Sequence, residues 1–253
     1  MQKSAACMIG VMAKAPKAGR SKTRLCPPLH PEQAASLSAA FLRDISENLR
    51  LAARLAPIAR CIAYAPAGDE AVFESHLAVG TDLVLADGAV PVPPGVQGFG
   101  RCLLHAVQAM LARGYGAACV LNSDSPTLPT FVLARAASEL LQPGERVVLG
   151  PADDGGYYLL GMTQPHAHLF ADIAWSTDNV ADATRARASS LGLSVVELPV
   201  WYDVDDAGGL ARLRHEIAYG DSVFGLRPYP APATAAVFGR LGLLAADQRA
   251  AAE

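Results

Sequence analysis

The chain has 253 residues, of which 51% are hydrophobic and 18% are charged, and its formal net charge is -3 at pH 7. This length suits one large α/β domain or two small ones, and the composition supplies a sizeable core, so global disorder is excluded. A mildly acidic chain also argues against broad electrostatic binding to nucleic acid or to an anionic membrane. Any anion that it binds should therefore be small and held locally.

Apolar runs and helically spaced apolar residues alternate along the chain. The runs predict strands at residues 6–13, 58–65, 81–86, 117–129 and 193–206, and two strands around a tight turn over 146–162. Helical spacing predicts helices at residues 31–56, 68–77, 101–114, 130–141, 176–192 and 210–219. Pro31 starts one helix, Gly114 closes another, and Ser176 or Thr177 is expected to cap a third.

The alternation of strands and helices predicts an α/β fold with a mostly parallel sheet covered by helices on both faces. No internal repeat or low-complexity linker divides the sequence, so we expect one domain over residues 1–253, with a helical tail at about 224–253. In such sheets ligands bind at the carboxyl ends of strands, near a topological switch point. The loops that follow strands are therefore the places where chemistry is expected.

The cysteines and the apolar segments predict the compartment. Five scattered cysteines form no Cys-x-x-Cys pair, which fits a reduced compartment, with small buried thiols, better than a disulfide framework. The apolar stretch near the start is short and runs into a basic loop, so it does not predict a signal peptide. No segment is long and apolar enough to span a membrane. We therefore expect a cytoplasmic protein with no membrane partner.

The loop AKAPKAGRSKTRL, residues 13–25, gathers five cations around Gly19, namely Lys14, Lys17, Arg20, Lys22 and Arg24. Cationic side chains and inward-turning backbone amides suit a phosphate or a diphosphate. A merely basic, solvated loop is the alternative, and the position after the first strand of an α/β sheet favours the phosphate. The P-loop motif is not matched, because Ser21 precedes Lys22 and no glycine stands at the first position of the motif.

Two further loops supply carboxylates. Asp124 ends an apolar strand between two serines, and Asp203 and Asp205 share one face of an extended segment. Carboxylate oxygens are the ligands that Mg²⁺ and Mn²⁺ prefer, so Asp124 and Asp205 could complete a metal site if the two segments lie close together. Helix capping is the alternative for Asp124, and it also accounts for Asp206.

The loop GPADDGGYY, residues 150–158, places two acids beside a Gly-Gly turn. Gly155 and Gly156 allow a sharp turn with positive φ. Asp153 and Asp154, crowded against Tyr157, exceed what a turn requires. One of the two acids is therefore a candidate general base that takes a proton from an acceptor hydroxyl.

Trp175, followed by Ser176 and Thr177, is a candidate wall of the acceptor pocket. Core packing is the alternative for the tryptophan. Isolated histidines are more often structural than metal-binding, so we assign none of the following to a metal: His105, His166, His168 and His215.

The order of these motifs is K-A-P-x-x-G-R-x-K-T-R-L, S-D-S-P-x-L-P, G-P-x-x-D-G-G-Y-Y-L, W-S-T and D-V-D. Taken together they resemble the DUF2064 family, also called the rSAM/selenodomain-associated transferase 1 or arsenosugar-biosynthesis-type glycosyltransferase family. That family belongs to the nucleotide-diphospho-sugar transferase (GT-A) superfamily. The resemblance covers roughly residues 9–213. It implies a single-domain, GT-A-like (Rossmann-like) fold, a nucleotide-bound donor and a divalent metal, Mg²⁺ or Mn²⁺.

The resemblance also implies roles for individual residues. Asp124 stands where the superfamily has its metal-binding and catalytic aspartate, and Asp205 would be the distal metal ligand. Asp154 matches the D of D-G-G, which makes it a better candidate for the base than Asp153. Four cations would contact the phosphates of the nucleotide: Lys14, Arg20, Lys22 and Arg24.

One segment departs from the family pattern. Relatives typically carry Q-x-x-D-L-G-x-R before the third helix, and here the segment reads QGFGRCLLHA. Gln97 and Arg101 are the candidate counterparts of its glutamine and arginine, and the aspartate is absent.

We therefore expect a metal-dependent glycosyltransferase that moves a sugar from a nucleotide-sugar to a small-molecule acceptor. The first alternative is a nucleotidyltransferase that acts on an NTP and a phosphorylated small molecule. The second alternative is a non-catalytic nucleotide-binding protein. The sequence leaves the oligomeric state open, with a homodimer as one arrangement.

Overall fold

The computed structural model describes residues 4–244. Within that range seven strands form one sheet: β1 (Ser4–Ala13), β2 (Ile58–Tyr64), β3 (Asp82–Leu85), β4 (Tyr115–Leu121), β5 (Arg146–Pro151), β6 (Tyr157–Met162) and β7 (Ser194–Glu197). The helices of the same range are α1 (Pro31–Ala52), α2 (Glu70–Glu74), α3 (Phe99–Ala112), α4 (Thr130–Leu140), α5 (Val180–Ser190), α6 (Ala207–Tyr219) and α7 (Pro232–Arg240).

The strand order in the sheet is β3-β2-β1-β4-β6-β5-β7. All neighbouring strands are parallel except that β6 runs antiparallel to both β4 and β5. The chain therefore builds outward from β1 through β2 to β3, and then returns to place β4 on the other side of β1. This arrangement confirms the predicted single α/β domain with a mostly parallel sheet between helices.

Two apolar clusters cover the two faces of the sheet. Alternate residues of β1 point to opposite faces, so Ile9 and Val11 lie in one cluster while Met8 lies in the other. The first cluster packs the sheet against α1, α4 and α7, and the second packs it against α3 and α5. Helices on both faces leave the loops at the strand ends as the open edges of the sheet.

The strand predicted over residues 193–206 is shorter in the structure. β7 ends at Glu197 because Pro199 has no N–H to continue the ladder, and β7 pairs only with β5. The segment that follows is extended, and its Trp201 N donates a hydrogen bond to Pro151 O at 3.1 Å. Its aspartates therefore lie on an irregular segment beside the sheet.

The predicted helix cap at Ser176 or Thr177 is wrong. α5 begins at Val180, and Ser176 has a φ of 64°, in the left-handed region. Neither hydroxyl caps α5, because Asn179 is the residue that precedes the first helical turn. The two residues instead form a turn that enters the helix, and this turn faces the candidate site described below.

The described part of the predicted tail packs against α1. Asp44 of α1 accepts hydrogen bonds from Ala233 N at 2.9 Å and Thr234 N at 2.7 Å, and so caps α7. Residues 245–253, the end of the predicted tail, lie outside the described residues. Between residues 4 and 244, every helix is too short or too polar to cross a membrane.

Candidate active site at the carboxyl ends of β1 and β4

The strand order places three segments at one edge of the sheet. The carboxyl ends of the parallel strands β1 and β4 are neighbours there, at the point where the chain changes direction across the sheet. Because β6 is antiparallel to β4, its first residue, Tyr157, lies at the same edge. The basic loop after β1, the acidic loop after β4 and the Gly-Gly turn before β6 therefore meet, as expected for a switch point.

Local hydrogen bonds fix the shape of the basic loop. Ser21, which is buried, donates from Oγ to Ala15 O at 3.0 Å and accepts from Lys17 N at 3.0 Å. Gly19 has a φ of 72°, and Lys22 adopts the left-handed conformation with a φ of 50°. The loop therefore folds back so that Lys22 turns inward while its other cations remain at the surface.

The ammonium group of Lys22 is saturated with acceptors. Its Nζ lies 2.7 Å from Asp124 Oδ1, 2.9 Å from Asp205 Oδ1 and 2.8 Å from Val204 O. The Lys22 side chain is only 7% exposed. Although burial alone would lower the pKa of Lys22, the charges of Asp124 and Asp205 raise it above its ordinary value. In this structure, all three donors of the Lys22 ammonium are engaged, and its expected contact with phosphate stays a prediction.

The first chamber of the site is a cavity of about 360 Å³ lined by four cations of the basic loop and by the two aspartates, namely Lys14, Arg20, Lys22, Arg24, Asp124 and Asp205. Lys14, Arg20 and Arg24 are exposed, and none forms an ion pair within residues 4–244. Gly19 shapes the loop without lining this cavity. Lys17 pairs instead with Asp69, outside it.

The second chamber adjoins the first and has a volume of about 440 Å³. The predicted base, Asp154, lines it together with most of the residues predicted for the acceptor pocket, namely Gly156, Tyr157, Trp175, Ser176 and Thr177. The two chambers share a wall that includes Arg24, Ser123, Asp124 and Asp205. A ligand in one chamber therefore lies next to a ligand in the other.

Two residues predicted for the acceptor pocket do not line it. The carboxylate of Asp153 turns away and pairs with Arg212 Nη1 at 2.6 Å. Gly155 is structural, because a Cβ built on it would lie 1.9 Å from Asp178 O and its φ is 88°. These two residues hold the turn in place, whereas Asp154 faces the chamber.

The carboxylate of Asp154 is oriented by its own turn. Oδ1 accepts a hydrogen bond from Gly156 N at 2.8 Å, which leaves Oδ2 without a protein donor in this turn. Asp203 lies beside it in the same chamber. Burial, together with the charges of Asp205, Asp154 and Asp124, raises the pKa of Asp203 to about 7. The second chamber is therefore strongly acidic.

Several lining residues were not predicted from the sequence. Asn122, Asp178 and Asp203 line the second chamber, and Phe99 lines both. Asn122 had a positional signal, because it directly follows β4. Asp178 and Phe99 had no such signal, because Asp178 lies in the turn before α5 and Phe99 lies at the start of α3.

Asp124 and Asp205 have the chemistry and the placement to hold one divalent cation. Their Oδ1 atoms converge on a single cationic atom, Lys22 Nζ, within 2.9 Å. Hard carboxylate oxygens that converge in this way suit Mg²⁺ or Mn²⁺. No group of three or more His, Cys, Asp or Glu residues arranged for a metal occurs in residues 4–244, so further ligands would come from substrate phosphates or water.

In the segment that departs from the family pattern, the arginine has a structural role. Arg101 donates from Nε and Nη2 to Gly88 O, at 3.2 and 3.0 Å, and from Nη2 to Val90 O at 3.1 Å. These bonds hold the loop before α3, and neither Gln97 nor Arg101 lines a chamber. This loop delivers Phe99 and Cys102 to the first chamber instead.

Solved structures share this fold. A crystal structure from Desulfovibrio desulfuricans G20, described as a candidate nucleotide-diphospho-sugar transferase, is 26% identical and has a TM-score of 0.77, with 95% of this chain and 96% of that chain covered. A cytidylyltransferase from Leptospira borgpetersenii serovar Hardjo-bovis is 11% identical, with a TM-score of 0.56 and 96% and 97% of the two chains covered. A CMP:2-keto-3-deoxy-manno-octonic acid synthetase solved with CTP is 13% identical, with a TM-score of 0.51 and 84% and 98% covered.

A comparison with curated proteins gives no match. The family model described as "Uncharacterized protein conserved in bacteria (DUF2064)" matches residues 48–177, just over half of the chain. The matched range includes the acidic loop, the Gly-Gly turn and Trp175. The family resemblance expected from the motifs is thus confirmed, and the chain belongs to the DUF2064 family.

Proposed function

We propose that the protein is a metal-dependent glycosyltransferase that moves a sugar from a nucleotide-sugar donor to a small acceptor. The fold and family identify it as an enzyme of the nucleotide-sugar transferase type. The finer proposal, glycosyl transfer, rests on one observation. A cationic chamber and an acidic chamber adjoin at Asp124 and Asp205. A diphosphate-bearing donor fits the first chamber and a hydroxyl-bearing acceptor fits the second.

The first chamber has the charge that a donor diphosphate needs. Lys14, Arg20 and Arg24 are exposed cations without an ion-pair partner in the described part of the chain, so they are free to bind phosphate oxygens. As the bond to the donor sugar breaks, negative charge grows on the leaving phosphate. Fixed cations at that position stabilise the transition state more than the ground state.

Asp124 and Asp205 would hold the Mg²⁺ or Mn²⁺ ion. Such an ion, when bound, supplies positive charge that offsets the charge of the diphosphate. The ammonium of Lys22 keeps the two carboxylates together and offsets one of their two negative charges when the donor is absent. The shared wall then keeps the phosphates beside the second chamber.

The proposed reaction joins the two chambers. The oxygen of an acceptor hydroxyl forms a bond to the anomeric carbon of the donor sugar, and the bond between that carbon and the phosphate oxygen breaks. The nucleoside diphosphate leaves with the electron pair of the broken bond. The proton of the hydroxyl passes to Asp154, whose carboxylate is held by Gly156 N and faces the second chamber.

A ligand panel tests this proposal. Binding to the native state raises the melting temperature by mass action. We expect a nucleoside diphosphate, and the corresponding nucleotide-sugar, to stabilise the protein only with Mn²⁺ or Mg²⁺. Arg20→Gln should remove most of this shift, and Arg54→Gln, on the surface at the end of α1 and outside both chambers, should retain it.

Product analysis separates the alternatives. Release of a nucleoside diphosphate from a nucleotide-sugar supports glycosyl transfer. Release of pyrophosphate from an NTP and a phosphorylated acceptor would replace it with nucleotidyl transfer. Tight nucleotide binding without turnover across donors and acceptors would indicate a binding protein.

A further inference from the structure

The second chamber differs in charge from the first. Five carboxylates line it, from Asp124, Asp154, Asp178, Asp203 and Asp205, against one cation, Arg24. Lys22 forms direct ion pairs with Asp124 and Asp205 and so offsets one of their two negative charges. The carboxylates of Asp154 and Asp178 form no ion pair in the described part of the chain, whereas Asp203 also interacts electrostatically with Lys22.

The cations of the basic loop do not extend into this chamber. Lys14 and Arg20 line only the first chamber, and Arg24 stands in the wall that the two share. Arg212, which reaches the Gly-Gly turn, is engaged by Asp153, and neither residue lines the chamber. The site is therefore polarised, with its positive side toward one ligand and its negative side toward the other.

The second chamber also carries polar groups that lack partners. Asn122 Oδ1, Tyr157 Oη and Trp175 Nε1 are buried without a hydrogen-bond partner in residues 4–244. A buried polar group without a partner costs free energy, and a ligand that supplies the partner recovers it. All three residues line the chamber, so its wall contains polar atoms whose hydrogen-bonding capacity the described part of the chain does not use.

Aromatic rings form one side of the same chamber. Trp175 and Phe99 meet edge to face, with ring centroids 5.8 Å apart and planes at 90°. Rings exposed in a cavity pack well against the apolar face of a sugar or a similar ring. The wall thus accepts a ligand that has one apolar face and several hydroxyl groups.

We infer that the second chamber binds a neutral or cationic polyhydroxyl acceptor, such as a polyol, a sugar or an amino alcohol, and rejects phosphorylated acceptors. This inference rests on the proposed function and names the acceptor class of the same site. A phosphomonoester in the chamber would face the unpaired carboxylates of Asp154 and Asp178, and like charges brought together across an interface oppose binding. The one cation within reach, Arg24, also faces the donor chamber.

The test uses matched pairs that differ only by a phosphate. The pairs are glycerol with glycerol 3-phosphate, and ribose with ribose 5-phosphate. Saturation-transfer NMR measures the binding of each member to the full chain, with and without a nucleoside diphosphate and Mn²⁺. Nucleoside diphosphate release from a nucleotide-sugar panel measures turnover. We expect the neutral member of each pair to bind, and the phosphorylated member to bind about 100-fold more weakly or not at all.

A charge variant ties the preference to the chamber. Asp178→Asn removes one unpaired carboxylate and should reduce the discrimination against the phosphorylated member by about tenfold. Asp182→Asn is the matched control, because Asp182 lies on α5 and pairs with Arg185 outside the chamber. The control should keep the full discrimination.

The binding readout separates this inference from the proposed function. Neutral preference without release of nucleoside diphosphate would support the acceptor class and overturn glycosyl transfer. Equal or tighter binding of the phosphorylated members would overturn the acceptor class, even if glycosyl transfer occurred. Failure of both members of both pairs to bind would overturn it as well.

Discussion

Lys22 Nζ lies 2.7 Å from Asp124 Oδ1, at the point where the carboxylate of Asp205 also arrives. One ammonium therefore stands where the two candidate metal ligands converge. An ammonium and a hard divalent cation seek the same carboxylate oxygens, so the two cannot both make close contact with them. Lys22 is accordingly expected to move when a metal-bound donor enters.

Lys22→Met is expected to raise the affinity for Mn²⁺ in the absence of nucleotide by about tenfold. The substitution removes the competing charge and keeps the apolar length of the side chain. Titration calorimetry with Mn²⁺ alone measures the change. Lys17→Met is the control, because Lys17 pairs with Asp69 outside the first chamber. Unchanged or weaker Mn²⁺ binding in Lys22→Met would show that the ammonium and the metal do not compete.

Asp154→Asn is expected to lower kcat by about 100-fold or more, because an amide cannot take the proton of the acceptor hydroxyl. Binding of the donor nucleotide should be nearly unchanged, since Asp154 lines only the second chamber. Asp153→Asn is a matched control one residue away, and its carboxylate pairs with Arg212 outside that chamber. Equal losses of kcat in the two variants would remove Asp154 from the role of base.

Gly155→Ala is expected to lower the free energy of unfolding by about 3 kcal/mol or more, because the new Cβ would overlap the backbone. That Cβ would lie 1.9 Å from Asp178 O. Gly192→Ala is the control, since Gly192 also has a positive φ, 69°, but has no atom within 4 Å of its Cβ position. The control should cost about 1 kcal/mol in urea unfolding. Similar losses in both variants would mean that backbone conformation alone, not the close approach, requires Gly155.

Glu216→Gln is expected to raise the melting temperature relative to wild type, and to raise it more at pH 8 than at pH 4. Burial raises the pKa of Glu216 despite the hydrogen bond that it accepts from Tyr202 Oη at 2.8 Å. A raised folded-state pKa means that stability is fully present below the ordinary pKa and is lost as the pH rises through the folded value. The amide of the variant carries no charge at any pH in this range, so Glu216→Gln does not lose stability in this way as the pH rises.

Calorimetric scans between pH 4 and pH 8 measure that trend. Glu74→Gln, on the exposed side of α2, is the control and should show no comparable dependence on pH. A melting-temperature difference between Glu216→Gln and wild type that is constant with pH would contradict the prediction.

The sequence predicts most of the fold because its signals are local. The continuous apolar run of β1 and the helical spacing within α1 each indicate one element without knowledge of its neighbours. Errors arise where contacts with a distant part of the chain determine the end of an element or the conformation of a turn. β7 ends at Glu197 since its ladder with β5 stops before Pro199, and Ser176, expected as a helix cap, instead adopts a left-handed turn in the wall of the second chamber.

The location of the site was predictable because it also depends on local signals, whereas the contacts within the site were not. The positions of Asp124 and of the basic loop at strand ends indicate where they lie, but not what they contact. Lys22 meets Val204 and Asp205, which lie 182 and 183 residues away along the chain. No residue within the basic loop indicates such distant partners. The sequence alone therefore could not distinguish a Lys22 that binds phosphate from a Lys22 that forms ion pairs within the protein.

The reversed direction of β6 has a consequence for how this enzyme can diversify. It brings the Gly-Gly turn to the rim where β1 and β4 end, so that residues before position 125 supply all of the first chamber except Asp205. Ten lining residues of the second chamber come instead from positions 154–205. Under the proposed function, the earlier stretch of the chain encodes nearly all of the donor chamber, and the later stretch encodes most of the acceptor chamber. Exchanging the later stretch between relatives should therefore yield chimeras that keep the donor and change the acceptor.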